Sequence, residues 1–377
     1  MKQPNKLKWI FSLSLIAMLL LLSACGNNGG SVGGNTSGDA AENAAPSTEN
    51  SAGPAAASSD PAGASTGELP KEVRIGYQVS PNGELLAKAL GLLEKKYPDI
   101  KISWLKFDSG RDVNVAAASG GIDFGLVGTP PGASGIAQGL PYQIYYIHDV
   151  IGKSEALVVK KDSGIKSLQD LKGHKIATTF GSTSHFSLLS ALKQENIDPS
   201  TITILDMQAP DIVAAWQRGD IDGAYTWQPS QSKLTEDGGD VIISSAEVAA
   251  KGGITGEFGV VLKDFVDKYP DFVKGYISVL DEAVKTYREH PQESAQALSK
   301  ELGLTPEATL QAMNEIIVLD ASQQTSPEYM GTPDKPGAFG QLLKDTGDFL
   351  VEQKSITASP DLSVYQQALR NDLYPVN

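Results

Sequence analysis

Hydrophobic and polar positions divide the chain into three textures. Trp9 to Leu22 is almost unbroken apolar sequence. Gly26 to about Gly67 is built of Gly, Ser, Asn, Ala and Pro, with almost no large apolar residue. From about Lys71 the hydrophobic period keeps switching between strand and helix values. Val73 to Tyr77 alternates and predicts a strand. Leu85, Leu86, Ala89, Leu90 and Leu93 recur at helical spacing, predicting a helix over Asn82 to Tyr97 that ends before Pro98. Ile100 to Phe107 reads as strand, Val113 to Ser119 as a short helix and Ile122 to Val127 as strand. Further strands are predicted at Ile144–Ile147, Ala156–Lys160, Lys175–Thr178, Ile202–Leu205 and Gly223–Thr226. Helices fall at Ser184–Glu195 and Asp211–Arg218. Such alternation implies parallel sheets with helices on both faces, an α/β fold. After Gly259 the pattern turns mostly helical, ending with Phe339–Gln353 and Ser363–Arg370. Asp320 to Pro336, polar and rich in Pro and Gly, reads as a loop.

Composition narrows the function classes. Hydrophobic residues make up 41% of the 377 and charged residues 20%, which suits a buried core. The net charge of -14 argues against nucleic acid or an anionic membrane surface as main partner. The single cysteine, Cys25, excludes a disulfide within the chain and any Cys-based metal or cluster site. It follows Lys2, Lys6, Lys8 and an apolar run too short to span a membrane. Leu22-Ser23-Ala24-Cys25 resembles the lipobox of bacterial lipoproteins. The expectation is a signal peptide over 1–24, lipidation of Cys25, and a disordered tether over 25–70. The folded part would then work at the extracytoplasmic face of the cell membrane, held by lipid alone. The plainer alternative is an ordinary signal peptide with an incidental cysteine.

Candidate chemistry clusters where predicted strands end. Gly181-Ser182-Thr183-Ser184-His185 sits between a strand and a helix. Hydroxyl residues there cap the helix and leave its first N–H groups facing outward, a ready anion site. Gly128-Thr129-Pro130 ends another strand and is read as a tight turn open to a ligand. Gln78 lies just past the first strand. Glu155 and Glu257 stand in Gly-bordered segments, where a carboxylate can pair an ammonium group, and Trp227 is placed to wall a pocket. Each also has a bland reading, as a cap, a turn, a solvated acid or core. Arg218-Gly219-Asp220 and the Asp220/Asp222 pair have no supporting context, and the four histidines form no metal pattern. No nucleophile elbow, Walker A or dinucleotide motif is present.

Taken together, these segments resemble the substrate-binding proteins of ABC importers for nitrate, sulfonate and taurine, most closely the taurine-binding members. The resemblance rests on Tyr77-Gln78, Trp104 to Gly110, Ser154 to Lys161, Ser182 to Leu189 and Ala214 to Tyr225, and extends over Val73 to Tyr374. It implies a two-lobed periplasmic-binding-protein fold of type II. Residues 71–155 and 257–377 would form one lobe and 156–256 the other, with hinge closure over a ligand between them. It implies ligand contacts at Gln78, Gly128, Thr129, Pro130, Glu155, Ser182, Thr183, Ser184, His185, Trp227 and Glu257. It implies no catalytic residue, metal or cofactor, and a monomer whose partners are taurine or a related sulfonate, an ABC permease and its ATPase. Taurine joins a sulfonate to an ammonium. Helix N–H groups and hydroxyls suit the sulfonate, and Glu257, with Glu155 as second choice, supplies the counter-charge to the ammonium. The sequence departs from those relatives at Glu257, where they carry Asp, at Ser184, where they carry Thr, and at Arg111, where they carry a small residue. Arg111 is therefore a candidate second anion contact. Another aliphatic sulfonate, a sulfate ester or a small anion remains the alternative ligand, and an α/β hydrolase or transferase the alternative class.

Overall fold

The computed structural model describes residues 67–374. Cys25 and the expected signal peptide lie outside the described residues, as does nearly all of the expected tether. Two sheets organise the chain. The strands in chain order are β1 (Glu72–Tyr77), β2 (Lys101–Lys106), β3 (Phe124–Gly128), β4 (Tyr142–Ile151), β5 (Glu155–Lys160), β6 (Lys175–Thr178), β7 (Thr203–Asp206), β8 (Gly223–Trp227), β9 (Gly239–Ser244), β10 (Gly256–Leu262) and β11 (Ile316–Val318). The first sheet has the order β11-β4-β10-β3-β1-β2, the second β7-β6-β8-β5-β9.

The expectation of parallel sheets is corrected: both are mixed. β1 runs parallel to β2 and β3, and β6 parallel to β7 and β8. β10 is antiparallel to both neighbours, β3 and β4, and β5 is antiparallel to β8 and β9. The cause is the path of the chain. It leaves the first sheet at Ile151, builds all of the second, and returns as β10 into the slot between β3 and β4. Strand–helix alternation cannot register such a return, because β10 (GEFGVVL) is a short apolar run whose periodicity carries no direction, and only the one-turn helix Ser245–Ala249 precedes it.

Each sheet is covered on both faces. In β5, Leu157 and Val159 pack with Ile176, Leu188, Leu192 and Tyr225. The intervening Val158 packs on the other face with Ile212, Trp216 and Ala224. That is the two-residue period of a strand buried on both sides. The first sheet is covered by the helix Pro270–Glu289, which buries Phe272, Val273, Tyr276, Ile277, Leu280 and Ala283. Its Tyr276 meets Phe124 edge to face with centroids 5.2 Å apart.

Two predicted irregular segments prove ordered. Thr129–Ala137 is a buried helix, not a tight turn. Its prolines occupy the first turn, where a missing N–H costs nothing. Gly132 and Gly135 let Phe258 and Tyr142 press against its backbone, where an added Cβ would lie 2.1 Å and 1.9 Å from them. The Asp320–Pro336 segment, expected as a loop, opens with the helical turn Ala321–Gln324 behind an Asp320/Gln323 capping box. It also contains a small hairpin, Gly331–Thr332 with Lys335–Pro336. Its anchor is Gln324, fully buried, whose amide exchanges two hydrogen bonds of 2.8 Å with the backbone of Ile147. No helix among the described residues is long and apolar enough to cross a membrane.

Candidate ligand-binding site

A cavity lies between the sheets, with about 490 Å³ of non-atom space, part of it open to solvent. β1, β3, β4 and β10 of the first sheet end at it, and so do β5 and β8 of the second. Seven of the expected contact residues line it: Gln78, Gly128, Glu155, Ser182, Thr183, Trp227 and Glu257. Four do not. Thr129 and Ser184 are fully buried beside it. Pro130 and His185 line a neighbouring groove.

Three helices begin at the cavity wall. Ser182 caps Thr183–Gln194, its Oγ accepting from the His185 N–H at 3.2 Å. Gly128 precedes Thr129–Ala137 with no side-chain cap. Gly110 opens Gly110–Ala118, capped by Ser109. The N–H groups of Thr183 and Ser184 have no carbonyl four residues back and face out of the helix end. An anion placed here meets donors and three positive dipole ends. Among the lining residues there is no lysine or arginine.

Glu155 is fully buried, and hydroxyls hold both of its oxygens. Thr183 Oγ1 donates to Oε2 at 2.5 Å, and the Ser245 and Ser187 hydroxyls donate to Oε1 at 2.6 and 3.2 Å. Burial raises its pKa, and the Ser245 and Thr183 hydroxyls pull it back. In this geometry Glu155 braces Thr183 and the helix end behind it.

Glu257 is placed differently. On β10 it registers with Gly128 on one side and Asp149 on the other. Its Oε2 accepts from Asn82 Nδ2 at 3.1 Å. Its carboxyl is raised, chiefly by burial, although it keeps accessible surface on the cavity. Asp149 has no accessible surface, lines the same cavity, and has its carboxyl against the Glu257 carboxyl and the Asn82 amide. Burial first, then the neighbouring Glu257 charge, push it well above the carboxylate range. Sequence reading missed Asp149, Ser80, Ser154, Gln228 and Gly110, which also line the cavity. Ser80 stands two residues after Gln78, and Ser154 and Gly110 lie in stretches that carry the resemblance, which is the signal each gave. Asp149 lies at the end of an apolar strand, where nothing local marks it.

His185 stacks on Phe180, with ring centroids 4.5 Å apart at 11°. Burial takes its pKa down to about 4, so the ring is neutral near pH 7. Arg111, expected as a candidate second anion contact, lines the neighbouring groove and not the cavity. Its Nη1 donates to Asp206 Oδ2 at 2.9 Å, joining a helix of the first sheet to a strand of the second. The cavity wall offers backbone and hydroxyl donors, and the Arg111 charge is paired with Asp206 on β7. Gln78 is held by its amide, which donates to the Leu126 carbonyl at 2.9 Å.

Residues 78–294 match the family described as NMT1/THI5 like. The chain belongs to that family. A taurine-binding periplasmic protein of Escherichia coli (strain K12) is 36% identical over 300 residues, covering 78% of this chain and 90% of that one. Among solved structures, the periplasmic aliphatic sulphonate binding protein SsuA from Escherichia coli superposes with a TM-score of 0.65 at 28% identity, covering 79% of this chain and 92% of that one. The alkanesulfonate-binding protein SsuA from Xanthomonas axonopodis pv. citri, bound to MOPS, gives 0.67 at 26% identity, over 80% and 99%. The two sheets flanked by helices are thus those of a periplasmic-binding-protein fold, and these relatives are binding proteins and not enzymes.

Proposed function

We propose that this chain is the substrate-binding protein of an ABC importer for small sulfonates, and that its own ligand is taurine or a close aminosulfonate. One observation carries the reading: a single cavity offers helix N-termini and hydroxyls without any basic side chain, and also the acid Glu257. The sulfonate would take the N–H groups at Thr183 and Ser184 and the Ser182 and Thr183 hydroxyls. The ammonium would face Glu257. The ethylene link would lie against Trp227, at roughly 0.8 kcal/mol per buried CH₂. An alkanesulfonate lacks the ammonium and would leave a buried acid unpaired. The relatives that bind aliphatic sulfonates favour a second reading, in which the ligand is such a sulfonate and Glu257 is neutral when it binds.

The importer reading brings a permease and its ATPase as partners. Lipidation of Cys25 would hold the protein at the extracytoplasmic face, with the stretch after it as tether. The folded part would act as a monomer with 71–155 and 257–377 in one lobe and 156–256 in the other. Calorimetry with taurine, ethanesulfonate and nitrate tests the ligand. Taurine is expected to bind tightest. Glu257→Ala is expected to weaken taurine roughly tenfold or more relative to ethanesulfonate, the scale of a lost charge-assisted hydrogen bond. Equal losses for both ligands would remove Glu257 from the ammonium role.

A further inference from the structure

Asp149 and Glu257 stand side by side on antiparallel neighbours, registered Cα to Cα. Both line the cavity, and no basic side chain acts on either. Asn82 donates to Glu257 at 3.1 Å, the Ser80 hydroxyl also lies against Glu257, and the two carboxyls lie within hydrogen-bonding reach of each other. Two adjacent buried carboxylates without a cation cannot both carry full charge at acceptable cost. A proton between them removes the conflict and turns the contact between the two carboxyls into a hydrogen bond.

We propose that Asp149 is a ligand-contacting residue that shares one proton with Glu257, so that the pair offers one negative charge to a ligand's ammonium and makes the choice between amino and non-amino sulfonates depend on pH. This rests on the sulfonate-binding reading above. A monoanionic pair matches a single ammonium, and three N–H donors can reach both carboxyls. When pH falls, a second proton neutralises the pair and the ammonium loses its counter-charge. The same proton removes the unpaired charge that disfavours a plain alkanesulfonate. Selectivity should therefore invert towards the non-amino ligand on acidification.

The surroundings add little competing charge. Glu84, on the helix Gly83–Leu90, is pushed up to about 8 by burial, and Tyr276 Oη donates to it at 3.0 Å. His148 on β4 is brought down to about 3 by burial and is neutral. Tyr145 on β4, with Tyr276 and Tyr287 on Pro270–Glu289, have their phenols raised by burial and stay protonated. Across the cavity Glu155 is held by its hydroxyls. Ser80 and Asn82, on the turn before Gly83, do not titrate.

The test is calorimetry on the full chain with taurine and ethanesulfonate from about pH 5 to 8, in two buffers of different ionisation enthalpy. On the acid limb, taurine affinity should fall about tenfold per pH unit, with about one proton released per taurine bound, and ethanesulfonate affinity should rise. Asp149→Ala removes the donor that stabilises the Glu257 carboxylate. It should move the acid limb upward by about one pH unit or more. Asp149→Asn restores a donor and should bring the limb back. If Asp149 were instead ionised beside Glu257, both variants would move the limb downward, and that result overturns the proposal. So does an unmoved limb in both variants, or a taurine-to-ethanesulfonate ratio flat across the range. A wild-type chain that binds neither ligand at any pH overturns the sulfonate reading itself and the proposal with it, a result distinct from binding with a flat ratio.

Discussion

Glu155 and Glu257 are both acids at a cavity, and the side chains around them separate their roles. Three hydroxyls surround Glu155, and its carboxylate fixes Thr183. Glu257 has the Asn82 amide, the Ser80 hydroxyl and a second acid, Asp149, beside it. A fourth acid, Glu84, lies near Glu257 outside the cavity lining, fully buried and brought to about 8 chiefly by burial. Its folded value lies above its unfolded one, so its contribution to stability is complete below about pH 4.5 and is lost as pH rises through about 8. The ligand-free protein should therefore lose stability across that window. Glu84→Gln should flatten the loss by up to ~1.4 kcal/mol per pH unit. Melting curves at several pH values check this, and parallel slopes for both proteins would refute it. At this scale the sequence marked residues that lie in named local patterns, such as Ser182 and Thr183 at a helix start. It could not mark Asp149, whose importance comes from a strand that pairs with it from far along the chain.

Elements carry the site through their ends. Asn82 caps the helix Gly83–Leu90 with its Oδ1, which accepts from Leu85 N at 3.0 Å, while its Nδ2 reaches Glu257. One side chain thus ties a helix start to the acid on β10. Asn82→Ala should cost about 1 kcal/mol of stability. Asn82→Ser, which can still cap, should recover most of that but not the ligand affinity lost with the Glu257 contact. Chemical denaturation and calorimetry separate the two effects, and full recovery of affinity in the serine variant would dissociate them. The helix Pro270–Glu289 was legible from its apolar stripe. The helix Thr129–Ala137 was not, because Thr-Pro-Pro-Gly-Ala-Ser-Gly has the composition of a turn. Its glycines instead serve close packing against Phe258 and Tyr142.

At the scale of the whole molecule, the two sheets and their helices meet through contacts around the cavity. Arg111 bonds Asp206, and Gln208 Nε2 donates to Asp112 at 3.0 Å. Lys193 pairs with Glu352 at 2.6 Å, and Phe186 meets Phe349 with centroids 4.7 Å apart. The exposed ion pairs are worth less than about 1 kcal/mol each, so under the proposed hinge closure a ligand would decide how often the halves stay together. A close approach falls at Gly128, where a Cβ would lie 2.5 Å from Thr183 Cγ2. Gly128→Val should therefore lower ligand affinity at least tenfold, while the ligand-free protein, free to part there, melts within a few degrees of wild type. Calorimetry and melting curves check this, and unchanged affinity would show that closure does not need that contact.

The return of β10 also sets an order of assembly. During synthesis β3 and β4 emerge early, but the strand that belongs between them is made only after the whole second sheet. Until Gly256–Leu262 has been translated, each of these strands lacks the neighbour that will lie between them. The second sheet, drawn from one continuous stretch, faces no such wait. A growing chain can thus complete its middle stretch, the second sheet, before the first sheet receives its closing strand.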